Sequence, residues 1–309
     1  ISIDGQGSYV YTGYGYGYTG ILSNANKGSA GNAGSVDVST TGNLDIRNGG
    51  VLSTDTFSSG SAGTVKVSAG SIAVDKQTDK QTSSSDTGIF SRAMSSSTTG
   101  SAGSIDVKAA GLVSLDNGGA ISSHTSSSRN AGTVAVRAGS IILDHGSVID
   151  SDTATSSSGS AGSVEASATG RLAIDHGSKI SSETGGEFSS GNAGTVTVHA
   201  GNITIGNGGK ISSETGTLSA GGNAGSVYVK VEDALEIFNG GVIKSSTGDN
   251  RLITSFGIFT LPAHSNASDV TVKAATIRIN GNGAAVPTGI LSHSFSNNIG
   301  NVGNVDVDA

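Results

Sequence analysis

The dipeptide Ala-Gly recurs through this chain at a spacing that leaves few folds open. It stands at Ala33-Gly34, Ala62-Gly63, Ala102-Gly103, Ala131-Gly132, Ala161-Gly162, Ala193-Gly194 and Ala224-Gly225, at intervals of 29, 40, 29, 30, 32 and 31 residues. Two degenerate copies, Ser268-Asp269 and Val302-Gly303, extend the series. The stretch from Gly191 to Gly216, GNAGTVTVHAGNITIGNGGKISSETG, displays the unit most plainly. It holds three short runs, Thr195–Val198, Asn202–Ile205 and Lys210–Ser213, each β-branched on one parity and bounded by Gly, Asn or Ala-Gly. Period-2 alternation between turn residues is the signature of a strand. Strands this short bury too little to fold alone, so the unit must stack on its copies.

The copies agree strand by strand. The first strand reads SVDV, TVKV, SIDV, TVAV, SVEA, TVTV, SVYV, DVTV and NVDV along the chain, and the second NLDI, SIAV, LVSL, SIIL, RLAI, NITI, ALEI and TIRI. The third centres on Val51-Leu52, Ile89-Phe90, Ala120-Ile121, Val148-Ile149, Lys179-Ile180 and Lys210-Ile211. No window carries a helical pattern. The expected fold is therefore all-β: one right-handed parallel β-helix over residues 1–309, of about nine to ten coils stacked at ~4.8 Å. A string of β-sandwiches would need ~100 residues per module, far more than this period supplies.

Stacking turns each repeat position into a row. Val65, Val67, Ile72 and Val74 are expected to face inward with their counterparts. After the third strand Ser-Ser-x-Thr recurs, as in Ser181-Ser182-Glu183-Thr184 and Ser212-Ser213-Glu214-Thr215. Alternation puts Ser123, Ser182 and Ser213 inside, where a stack of serines could satisfy itself between coils. At the second corner, Asn48-Gly49, Asn117-Gly118, Asn207-Gly208 and Asn239-Gly240 alternate with His145-Gly146 and His176-Gly177. Asn and Gly tolerate the left-handed backbone that a sharp corner demands.

Four stretches depart from the repeat, and the reading places them as inserted loops at the corner between second and third strands: residues 5–20, 75–88, 245–256 and 280–288. The third assignment depends on whether Gly257-Ile258-Phe259 or Val242-Ile243 forms the third strand of its coil. Insertions in solenoids gather on one face, often the binding face. Residues 5–20 carry Tyr9, Tyr11, Tyr14, Tyr16 and Tyr18 among glycines. Tyrosines stack on sugars and protein partners at low entropic cost, which makes these five the candidate ligand-binding residues.

Composition excludes several classes. The net charge of −7 argues against a nucleic-acid binder. No apolar run approaches the ~18 residues of a membrane span, so membrane insertion is not expected. Cys is absent, so thiol chemistry and disulfides are excluded. Asp75, Asp116, Asp144 and Asp175 end the second strand in consecutive coils; this row could be a calcium site or a glycan-cleaving acid row, but reads better as a solvated corner edge. His145 and His176 read as corner caps rather than a metal pair. Lys108, Arg137, His199, Lys230 and Lys273 could form a basic stripe for anionic glycans, but Asp106 and Glu165 beside them favour a mixed-charge face. The outward first-strand row Asp37, Lys66, Asp106, Ala135, Glu165, Thr197 and Tyr228 lacks the regular threonines of an ice-binding face. No catalytic residue, metal ligand or cofactor is expected, and the chain does not read as an enzyme.

The runs GNAGTVTVHAGNITIGNGGKISSETG and SAGSIDVKAAGLVSLDNGGAISSHTSSS resemble the filamentous-haemagglutinin-type exoproteins of bacterial two-partner secretion, a resemblance that covers residues from about Gly28 to Ala309. It implies a right-handed β-helical fibre, export through an outer-membrane pore partner by a region not in this sequence, and adhesion at the surface or in the extracellular matrix of a Gram-negative cell. The implied partners are an exopolysaccharide or a host or bacterial surface receptor. The chain opens inside a strand pattern at Ile1-Ser2-Ile3 and carries no signal peptide, so it is expected to be an excerpt of a longer fibre. The competing expectation on the same fold is a polysaccharide lyase or hydrolase.

Overall fold

The structure is a computed structural model; it describes residues 1–6, 10–12, 15–77, 86–94, 99–186, 189–216, 221–248, 251–254, 257–260, 265–295 and 300–309. The chain is an all-β parallel solenoid built from three nine-stranded sheets. The first sheet runs from Val36–Ser39 to Val305–Asp308, the second from Ser2–Asp4 to Thr276–Asn280, and the third from Thr19–Leu22 to Gly289–His293. Equivalent strands pair in parallel and in register, as in Ile121↔Ile149, Ile149↔Ile180 and Ile180↔Ile211. Two antiparallel hairpins, Val10–Thr12 with Gly15–Gly17 and Arg251–Thr254 with Gly257–Thr260, stand outside the coils.

The core is the stack of inward rows. Val65, Val67, Ile72, Val74 and their counterparts are buried in one continuous cluster that threads the solenoid. Alternation within a strand decides which side chains reach it: Val196 and Val198 are buried, while Thr197 between them is exposed.

The inward serines are buried as the alternation requires, but they bond to the backbone rather than to one another. Ser182 Oγ donates to Gly162 O at 2.8 Å and accepts from Gly194 N at 2.7 Å. Ser123, Ser151 and Ser213 repeat the pair of bonds at their own coils, at 2.7–2.9 Å. Each hydroxyl thus clasps the Ala-Gly corner that starts its coil to the one that starts the next. The repeat needs glycine there because a Cβ at Gly132, Gly162 or Gly194 would run into the carbonyl of the preceding coil's glycine. In the eighth copy the register aligns Ala267-Ser268, not Ser268-Asp269, with Ala-Gly: Val227 pairs with Val270, so the corner lies one residue earlier than the sequence pattern suggested. Ser268 still joins the clasp, its amide N–H donating to Ser245 Oγ at 2.9 Å.

The second corner takes the left-handed turn expected of it. Asn48, Asn117, His145, His176, Asn207 and Asn239 have φ of 43–52°, and the glycine after each is also positive. Residues 5–20, 75–88 and 280–288 all lead from a second-sheet strand to a third-sheet strand. The stretch 245–256 does not. Val242–Ser246 is the third strand of its coil, with Ile243 in the inward isoleucine row, and the hairpin of residues 251–260 follows it at the next corner. A turn at Asn239-Gly240 that leads directly into the third sheet leaves no room for an excursion before it.

Candidate functional site

The outward first-sheet stripe resolves into ion pairs. Lys108 lies 3.0 Å from Asp106, Arg137 bridges Asp106 and Glu165, His199 and Lys230 share Glu232 at 2.7 Å, and Lys273 reaches Asp308. These side chains are about half exposed, where such pairs contribute little. The mixed-charge reading of this face holds.

The second-corner acids work as caps. Asp116, Asp144 and Asp175 each accept the N–H of the next residue at 2.8–2.9 Å. Each also accepts from the corner residue one coil on: His145 Nδ1 lies 2.9 Å from Asp116, His176 Nδ1 2.7 Å from Asp144, and Asn207 Nδ2 2.7 Å from Asp175. Partial burial opposes ionisation of Asp144, but the bonds from His176 and the His145 amide override it and hold the carboxyl below its usual range.

The outer face of the third sheet differs from both. Its outward positions, which would be solvated on an ordinary solenoid face, include Asp55, Phe90, Arg92, Asp150, Ser181 and Ser212, all buried. Arg92 forks onto Asp55 at 2.7 and 3.1 Å, pairs with Asp86 from the 75–88 excursion, and lies 4.2 Å from the centre of the Phe90 ring. Next in the row, His124 Nδ1 sits 2.8 Å from Asp152. Burial opposes the charged imidazole, but the Asp152 bond prevails and raises its pKa. Burial, aided by the Asp152 charge and opposed by Lys179 at 3.8 Å, pushes the Asp150 carboxyl up to about 7. Asp150 Oδ1 has no hydrogen-bond partner. Lys179 pairs with Glu183, and Lys244 with Glu214, each at 2.6 Å.

Along this face runs a groove of ≈ 410 Å³ whose walls include Asp152, Glu183, Lys210, Glu214, Lys244 and Phe295, with Thr153, Thr184 and Thr215 from successive coils. Asp152, Glu183 and Glu214 therefore repeat along it in one row at the coil spacing of ~4.8 Å, with the threonines beside them, whereas Lys210 and Lys244 come from different rows.

Of the five tyrosines, Tyr9 and Tyr14 lie outside the described residues. Tyr11 and Tyr16 face each other in the register of the Val10–Thr12/Gly15–Gly17 hairpin. Tyr18 is the one whose surroundings are described. It packs against the outward cluster of Val51, Phe90 and Ala120 and lies 5.5 Å from the Arg92 guanidinium, and burial pushes its phenol up to about 12. The loop is thus anchored at one end of the third-sheet face. Sequence reasoning missed this row, three of whose members line the groove, although the signal was present: Arg92, His124, Asp152, Glu183 and Glu214 occupy the variable position of Ser-Ser-x-Thr, and register places them in one row.

Compared with protein-family models, curated proteins and solved structures, the chain matches none. What its fold and face define is a class: a three-sheet parallel β-solenoid with one polar, partly covered outer face.

Proposed function

We propose that this chain is a structural and adhesive segment of a secreted adhesin, at the bacterial surface or in a biofilm matrix, and that it holds an extended extracellular glycan along the outer face of its third sheet. The observation that carries the reading is the groove from Asp152 to Phe295, whose acids and threonines recur coil by coil. A linear polysaccharide is itself periodic, so a ladder of equivalent donors and acceptors can meet successive sugars in the same way. Paired acids and lysines suit a hydrated polymer carrying both hydroxyls and scattered charge. The resemblance to two-partner secretion exoproteins supplies the compartment and the outer-membrane pore partner of this proposal.

The test is a glycan array probed with the chain, then with Lys210→Glu combined with Phe295→Ala, and with residues 7–17 deleted. Retention on a polysaccharide should fall at least fivefold in the groove variant, while Glu214–Lys244 and the fold remain. Binding that survives this change but is lost on neutralising Lys108, Arg137 and Lys230 together would place the contact on the first sheet instead.

One observation favours the polysaccharide-cleaving alternative. Asp150, whose carboxyl burial pushes up to about 7, lies beside the His124–Asp152 pair, and a proton donor next to a base is a requirement of glycan cleavage. Release of new reducing ends from an acidic polysaccharide, abolished by Asp150→Asn, would establish it over the adhesive reading.

A further inference from the structure

His145 and His176 do more than their corner requires. In the flanking coils the same left-handed position is held by Asn117 and Asn207, whose Nδ2 groups donate to the acid of the preceding coil at 2.9 and 2.7 Å. Histidine Nδ1 is attached to Cγ as asparagine Nδ2 is, and it fills the same role here, bonding Asp116 and Asp144. The imidazole then adds what asparagine lacks, a second nitrogen further out. With Nδ1–H committed to a carboxylate, the tautomer is fixed and the Nε2 lone pair is free to bind. The two rings are stacked 4.9 Å apart and within 6° of parallel, so both lone pairs point the same way. Asp144, His145 and His176 bring ligand atoms within 4.8 Å of one another. Both side chains are about half exposed, so an ion reaches them directly from solvent.

We propose that His145 Nε2 and His176 Nε2 form a surface binding site for a divalent late first-row transition metal ion such as Zn²⁺. Bonds of about 2.0–2.1 Å in a tetrahedral shell require the two nitrogens to approach to about 3.3 Å. Because the rings are parallel, bringing both lone pairs onto one ion swings each ring by roughly 50° out of the stack, a rotation about side-chain bonds that leaves the backbone in place. Asp116 and Asp144, which hold the Nδ1 atoms in the metal-free corner, are the nearest carboxylates to orient the ligated rings and raise their basicity. Water fills the outer positions. Imidazole ligands favour Zn²⁺, Ni²⁺ and Cu²⁺ over Ca²⁺ and Mg²⁺, which distinguishes this site from a calcium-binding acid row.

Isothermal titration of the chain with ZnCl₂ provides the test, with His145→Asn and His176→Asn as variants because asparagine already serves this corner in the adjoining coils. Wild type should take up one ion at low-micromolar Kd. Each single variant should lose at least tenfold in affinity and the double variant should show no uptake, while the metal-free melting temperatures stay together. His199→Asn, which changes a ring paired with Glu232 on another face, should bind as wild type does. Electron paramagnetic resonance of the Cu²⁺-loaded wild type should report two imidazole nitrogens, a readout independent of the variants' folding. No uptake by wild type, undiminished uptake by the double variant, or a single coordinated nitrogen would overturn the proposal.

Discussion

Ser182 shows how much one hydroxyl does in a solenoid of short strands. Its Oγ is the partner of a carbonyl and an amide at two successive Ala-Gly corners, so its removal leaves two inward backbone groups to find partners elsewhere. Buried groups left unpaired cost about 1–3 kcal/mol each. Ser182→Ala should therefore lower the denaturation midpoint by an amount equivalent to about 2 kcal/mol, measured by urea unfolding, whereas Thr197→Ala on the exposed row should change it little. Asp150 tests the third-sheet face in the same way. Its carboxyl is raised to about 7, from about 3.9 in an unfolded chain. Between those values the folded state holds the extra proton, so the stabilising effect is complete below about pH 4 and is lost as pH rises through 7. The raised pKa of His124 has the same sign, its contribution fading as pH climbs past its folded value. Asp152, Lys179 and Glu183 are the charges around Asp150 that set the window. Thermal melts from pH 4 to 8 should show wild type weakening with pH and Asp150→Asn weakening less, so that the variant is the more stable of the two at pH 8. Parallel curves would mean that Asp150 ionises as an ordinary surface carboxylate.

At the level of strands, register governs everything, because a shift of one residue exchanges the two faces. Val196→Asp places a carboxylate in the core row and should prevent its coil from folding, since an unpaired buried charge costs several kcal/mol. Thr197→Asp, its neighbour, should melt like wild type by circular dichroism. Equal effects would show that the strand register is wrong. This much of the molecule was legible in the sequence, since Val-x-Val and Ile-x-Val alternation is a local signal and the Ala-Gly spacing repeats it. The left-handed second corner was legible for the same reason, in Asn-Gly and His-Gly. Two things were not. The place of the 251–260 hairpin depended on which apolar pair, Val242-Ile243 or Ile258-Phe259, joined the isoleucine row, and only pairing with Lys210–Glu214 decides that. The charged row of the third-sheet face was hidden because Arg92, His124, Asp152, Glu183 and Glu214 share neither charge nor size. They are neighbours only because stacking brings together residues some thirty positions apart in the chain.

Across the whole molecule, each coil touches chiefly the one before and the one after it, as the sheet orders show. Stability in such a stack is close to a sum of coil terms and nearest-neighbour terms. A local defect should therefore stay local. Ile203 is a fair place to introduce one: it lies in mid-stack, 1% exposed, paired in register with Leu172 on one side and Leu235 on the other. Truncation to alanine removes core contacts worth about 2–5 kcal/mol without adding charge or touching a corner. Hydrogen exchange of Ile203→Ala should show faster exchange in Arg171–Ile174, Asn202–Ile205 and Ala234–Phe238, while Asn43–Arg47 and Ser71–Asp75, several coils away, keep wild-type protection. A uniform loss of protection along the chain would mean that the three sheets unfold as one unit, with coupling that reaches well beyond adjacent coils.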